Sequence, residues 1–455
     1  MFSKIKYLGI AALLSSAFYS CSNDIAAPES SSGSADFARY VAVGNSITSG
    51  YTSSGMTKAT QDNSLANLLA NQFKLAGGGD FKQPTMTDNG SGVLQLQGLN
   101  AVPPCNIDTK PVIARSEVDA NWIANISAQG PFNNLAVPGM SIKASQTPAS
   151  NITPSNGFFN RMLANTVTSY KDFVSESVST INPTFYSLWL GNNDALSYSA
   201  TGGGWLPNFS TNPAGDMTGP EIDLSSPGQL LAPPNDDEFR EKYVALLDVL
   251  TANGAKGVVA TIPDITALPY FTTVSDSVTN PSSCTQKLAV WITARISATS
   301  SDSEVRPARN NDYILLPAGS TIGRMDDFGG NIIPHGLSEY NPLRNAEVLD
   351  QQEAAFIRGK VTLFNNIIKE EALARTIPVA DMYTFLNNIK DGAVYDGVAV
   401  SSAFISGGAF SLDGIHPTDR GYAIVANEFI RTINEAYGAS VPLVDVTKFK
   451  GVTFP

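Results

Sequence analysis

Histidine and cysteine are scarce in this chain, with two and three among 455 residues. Neither His-Glu-x-x-His nor Cys-x-x-Cys occurs. A zinc enzyme is therefore not expected, and nothing calls for a metal or other cofactor. Charge is also sparse, at 15% of residues, and it is lopsided, with a net of -12. A negative surface argues against general nucleic-acid binding. The apolar run at the N-terminus, Tyr7 to Tyr19, is short for a stop-transfer helix. What is plentiful is hydrophobic content, at 43%, which fits a folded globular chain and not a disordered one.

That N-terminal run has the layout of a cleaved export signal. Lys4 and Lys6 precede it, and small residues follow it up to Cys21. A cysteine at this point resembles a bacterial lipobox, although Tyr19-Ser20 departs from the usual Leu-Ala-Gly lead-in. The expectation is a signal peptide over 1–20, a lipidated Cys21 and a flexible tether over 21–36. The tether "SNDIAAPESSSGSAD" cannot bury enough apolar area to fold. The protein is then an exported lipoprotein, on the periplasmic face or cell surface of an outer membrane. Cys105 and Cys284 remain, and sequence does not decide whether they pair.

Five segments read as short buried strands, near 37–44, 133–139, 183–191, 256–263 and 377–382. Their continuous apolar runs suit strands covered on both faces. Helical stripes lie between them, for example Leu65, Leu68, Leu69 and Phe73, or Ile357, Val361, Phe364 and Ile368. This alternation predicts an α/β fold, a three-layer α/β/α sandwich around a mainly parallel five-stranded sheet. Gly-, Pro- and Ser-rich stretches near 76–132, 195–235, 272–345 and 390–411 read as insertions into one domain over 37–440, with a tail over 441–455.

Ligands of such sheets bind beyond the carboxyl ends of the strands. There the sequence places Gly44-Asn45-Ser46, Pro138-Gly139 and Gly191-Asn192-Asn193-Asp194. Near the C-terminus, "SLDGIHPTDRGY" sets Asp413 three residues before His416. Taken singly, Ser46 is a turn residue, Asn193 a helix cap and Asp413 a capping acid. His335, in an insertion, reads as a surface or packing histidine.

Taken together and in this order, "VGNSIT", "NLAVPG", "LGNND" and "DGIHPT" resemble the SGNH hydrolases, the GDSL-type lipases and esterases. The resemblance spans roughly 37–437 and implies a flavodoxin-like sheet. It implies that Ser46 is the nucleophile, His416 the general base and Asp413 its orienting acid. Gly139 and Asn193 then match oxyanion-hole donors beside the backbone N–H of Ser46. Asn45 departs from the pattern, standing where the family usually has Asp.

The chemistry suits these residue types. A serine hydroxyl needs a base to become a nucleophile, and imidazole serves near neutral pH. A carboxylate on the other ring nitrogen fixes the tautomer. The expected function is a membrane-anchored serine ester hydrolase acting on a small-molecule, lipid or acylated-glycan ester. The alternatives are a non-catalytic glycan- or lipid-binding lipoprotein and an acyltransferase. Trp205, Leu206 and Phe209 fit local packing better than an acyl site or lid.

Overall fold

The computed structural model describes residues 29–105, 109–203, 232–298 and 302–455. Its centre is a parallel sheet of four strands: β1 (Tyr40–Gly44), β2 (Phe185–Trp189), β3 (Lys256–Ala260) and β4 (Val379–Ala380), side by side in that order. Every residue of β1 and β2 is buried, as expected for strands covered on both faces. Alternate side chains divide between two helical layers. Phe185 packs edge-on against Phe73 and Tyr437 at 5.5 and 5.8 Å, and Trp189 meets Phe429 at 5.6 Å. Those partners lie on α2 (Leu65–Leu75) and α7 (Asp419–Tyr437), which pack on each other. The second layer contains α3 (Tyr170–Ile181), α5 (Asp236–Thr251) and α6 (Gln351–Ala374). Phe239 of α5 stacks on Phe364 of α6 with ring centroids 4.1 Å apart.

Local sequence sets the helix starts. Ser64, Ser169, Asn235 and Thr418 each accept a bond from the backbone N–H three residues on. Asp350 and Glu353 close a capping box at the head of α6.

The sandwich class agrees with the sequence reading, but the sheet has four strands and not five. The segment 133–137 does run along the free edge of β1. Ala42 donates to Asn133 at 2.9 Å, and Leu135 and Val137 donate to Ala42 and Gly44 at 2.8 and 3.1 Å. It forms only an isolated bridge, at Asn134. The Tyr170 hydroxyl takes the place of the next ladder bond, accepting from Gly44 N at 3.2 Å and donating to Leu135 O at 3.0 Å.

Two insertions carry structure of their own. Leu94–Ala101 and Thr109–Arg115 form an antiparallel hairpin. Residues 277–349 form small paired strands around a separate core that includes Ile292, Ile314, Leu343 and Val348. A disulfide joins Cys105 of the first to Cys284 of the second, with Cα atoms 5.3 Å apart. Cys21, Trp205, Leu206 and Phe209 lie outside the described residues.

Candidate active site

β1 ends at Gly44, and the chain turns at once into α1 (Ser46–Ser49). A Cβ on Gly44 would stand 2.1 Å from Thr48 Oγ1, so the tight strand-to-helix turn requires glycine. Asn45 caps α1, its Oδ1 accepting from Ile47 N at 3.1 Å. An aspartate would accept the same bond, so the departure at this position preserves the cap. Ser46 is the first residue of the helix, and its N–H has no carbonyl one turn back to meet.

The register of the sheet brings the other segments alongside. Gly44 pairs with Trp189 of β2, so Gly191 and α4 (Asn192–Ser199) begin just past the same sheet edge as Ser46. On the other side, the bond from Val137 to Gly44 carries the 138–140 turn up beside the start of α1. Met140 donates back to Val137 at 3.1 Å, and Gly139 sits at φ +78°. This is a type II turn with proline and glycine at its two central positions. The Gly139 N–H makes no hydrogen bond among the described residues.

Asn193 donates one amide hydrogen to Met140 O at 2.9 Å, leaving the second available. Its neighbour Asp194 accepts from Ile142 N at 2.7 Å and Lys143 N at 2.8 Å. Burial pushes the Asp194 carboxyl up to about 7, against the pull of those N–H donors and of the Lys143 charge. Asn156 reaches Pro138 O at 2.8 Å from the far side. The Gly139 turn is thus held by three side chains, of which the sequence reading singled out only Asn193.

The 411–416 turn completes the group. His416 Nε2 lies 2.9 Å from Ser46 Oγ, and His416 Nδ1 lies 2.9 Å from Asp413 Oδ2. Asp413 also accepts from the backbone N–H groups of His416, Ile415 and Ser54 at 2.8, 2.9 and 2.8 Å. Ser411 Oγ is 3.1 Å from its other oxygen. Burial by itself would raise the Asp413 carboxyl. The His416 charge and these donors outweigh it and hold the group down to about 2. Ser54, Ser411 and Tyr51 were not singled out in sequence. The Tyr51 ring lies 4.8 Å from that of His416, and burial, helped by the charge on Asp413, pushes its phenol up to about 12. Adjacency in the chain to "GNSIT" and "SLDGIH" was the one signal available for these three.

His335 has no partner in this group. It is buried in the inserted unit, with Nε2 at 3.0 Å from Glu347 and Nδ1 at 3.0 Å from Asn341. Among the described residues, no group of three or more His, Cys, Asp or Glu side chains is arranged to hold a metal ion.

Chemically, an imidazole in contact with a hydroxyl at one nitrogen and a carboxylate at the other can take and return that hydroxyl's proton. The N–H groups at Ser46 and Gly139, with the Asn193 amide, can stabilise negative charge developing on a nearby oxygen.

A model of the GDSL-like lipase/acylhydrolase family matches residues 40–429. Among solved structures, the chain is similar to a GDSL-like lipase from Bacteroides thetaiotaomicron. Their identity is 11%, over 88% of this chain and 89% of that one, with a TM-score of 0.31. It is also similar to a catalytic mutant of an acetylxylan esterase from Geobacillus stearothermophilus. There the identity is 10%, over 88% and 95% of the two chains, with a TM-score of 0.33. No curated protein matches the chain.

Proposed function

The chain belongs to the GDSL-like lipase/acylhydrolase family, and on that premise we propose that it hydrolyses carboxylic esters through an acyl-enzyme on Ser46. The observation that carries this reading is the unbroken contact from Ser46 Oγ through His416 to Asp413, at 2.9 Å in each step.

In the first half-reaction Ser46 Oγ attacks the ester carbonyl carbon while its proton passes to His416 Nε2. Asp413 holds the ring by Nδ1–H and offsets the positive charge that forms on it. The carbonyl oxygen becomes an oxyanion and accepts hydrogen bonds from Ser46 N, Gly139 N and Asn193 Nδ2. Collapse breaks the bond to the alcohol oxygen, which leaves with the proton from His416. In the second half-reaction His416 takes a proton from water, and the hydroxide oxygen attacks the acyl carbon. Collapse frees the carboxylic acid and restores the Ser46 hydroxyl. Asp194 and Asn156 act as positioning residues that keep the Gly139 turn beside the nucleophile.

Ser46→Ala should lower turnover of a short-chain aryl ester by about a million-fold, as for other serine hydrolases acting through such a relay. It should also abolish covalent labelling by an organophosphonate. Wild-type protein that resists labelling and binds a glycan or lipid tightly would instead favour a binding role.

The same proposal places the protein at a membrane, exported and anchored through a lipid on Cys21. The basic and apolar start of the chain, the small residues before Cys21 and the polar tether after it support this. Cys21→Ala expressed with its leader should move the protein from the membrane fraction to the soluble fraction. An unchanged membrane share would sink the anchor.

A further inference from the structure

Four rings run in contact away from the nucleophile. His416 meets Tyr51 at 4.8 Å, Tyr51 meets Phe158 at 5.7 Å, and Phe158 meets Trp122 at 4.5 Å. All four residues are partly exposed, so the row is a surface feature and not core packing. Trp122 is fixed in place. A Cβ on Gly157 would stand 3.2 Å from its ring, so the indole lies close over bare backbone. The Trp122 backbone N–H donates to Asp119 O at 3.1 Å, closing a turn that sets the indole beside Asp119. Asp119 in turn lines an open cleft of about 490 Å³ together with Thr87, Asp88, Asn89 and Glu117.

Flat aromatic faces beside carboxylate, amide and hydroxyl groups are what a sugar ring needs. Its C–H face packs on the rings, and its hydroxyls find donors and acceptors in the cleft. A fatty acyl chain would have to desolvate three carboxylates there. An anionic headgroup would meet them as like charge, on a chain of net charge -12.

We propose that the Tyr51–Phe158–Trp122 row and the adjoining 87–89/117–120 cleft bind the carbohydrate of an acylated neutral glycan, with Trp122 the specificity-determining residue. This deepens the hydrolase reading above and rests on it. The sugar is then the leaving alcohol. It departs with the proton from His416, and its acyl group stays on Ser46 until water releases it.

The test compares kcat/KM on chemically acetylated xylo- and gluco-oligosaccharides with that on ethyl acetate and ethyl octanoate. Wild type is expected to favour an acetylated oligosaccharide over ethyl acetate by at least about tenfold. Trp122→Ala should cut that preference by about tenfold, mainly through KM, and Trp122→Phe should restore most of it. The unacetylated oligosaccharide should also compete with ethyl acetate in wild type, a readout that needs no variant. Preference for ethyl octanoate, an unchanged ratio in Trp122→Ala or lack of competition would overturn the inference. If wild type hydrolyses none of these esters, the hydrolase reading itself fails. Hydrolysis of ethyl acetate with no preference for the sugar ester removes the glycan inference alone.

Discussion

The chain's two histidines each sit between a carboxylate and one other polar group, and the second group makes the difference. His335 has Glu347 at Nε2 and the Asn341 side-chain oxygen at Nδ1. The Asn341 amide cannot turn round, because its NH₂ already donates to Ile333 O at 3.0 Å and Asp326 Oδ2 at 3.1 Å. Both ring nitrogens of His335 therefore face acceptors, which only an imidazolium satisfies. Burial lowers its proton affinity, but Glu347 and Asn341 outweigh that and raise it. His416 has Asp413 at Nδ1 and the Ser46 hydroxyl at Nε2. A hydroxyl both gives and accepts a proton, so this ring can gain and lose one without stranding a neighbour. A histidine–carboxylate pair is thus a structural strut in one region and a proton relay in the other.

The sharpest way to break this comparison is to make the same substitution at both positions. His416→Gln should lower ester turnover by at least about ten-thousand-fold. His335→Gln should leave kcat/KM unchanged. A comparable loss of activity from His335→Gln would tie the inserted unit to the chemistry and end the distinction.

The next effect is on stability. The side chains of His335 and Glu347 are 3% and 5% exposed. Removing the imidazolium leaves Glu347 buried with Arg344 and Thr321 as its remaining side-chain partners. His335→Ala should therefore cost on the order of 3 kcal/mol, read as a lower denaturant midpoint at pH 6. His416→Ala, at a partly exposed site, should cost less. The reverse ranking would show that the strut and the relay have been misassigned.

The contrast also shows why parts of the molecule were readable in sequence and parts were not. Strands of the sandwich announce themselves because burial on both faces leaves continuous apolar runs, as in "YVAVG" and "FYSLW", and its helices do so through apolar stripes at helical spacing. The edge segment 133–137 misled, because its residues look equally apolar. Whether they complete a ladder depends on one buried tyrosine, Tyr170, whose hydroxyl sits between Gly44 N and Leu135 O. Ser46, Asp413 and His416 stood out because each lies in a short block with its own spacing, and the structure brings the three into hydrogen-bonding contact. Trp122 and Phe158 were silent. Their partners come from separate segments, and no local pattern encodes a contact between residues 119–122 and 157–158. The His335 network was hidden for the same reason. Its partners, at 341 and 347, are close in the chain, but nothing in "NIIPHGLSEY" says that the ring will be buried.

The smallest effect sharpens the comparison through pH. Folding raises the His335 pKa. Its contribution to stability is therefore fully present below the unfolded value near 6.5 and is lost as pH rises through the raised folded value. Folding lowers Glu347 to about 2, so its contribution is present above the unfolded value of about 4.5 and is lost as pH falls through about 2. The pair is at full strength between those limits. Wild type should lose stability from pH 6 to pH 9 relative to His335→Gln, whose amide does not titrate. The two denaturant midpoints should draw together as pH rises. Asp413, held down to about 2, adds nothing to this alkaline change, since it stays ionised throughout the range. Midpoints that stay equally far apart from pH 6 to pH 9 would mean that His335 keeps one protonation state throughout, and that the charge on its ring does not hold the strut.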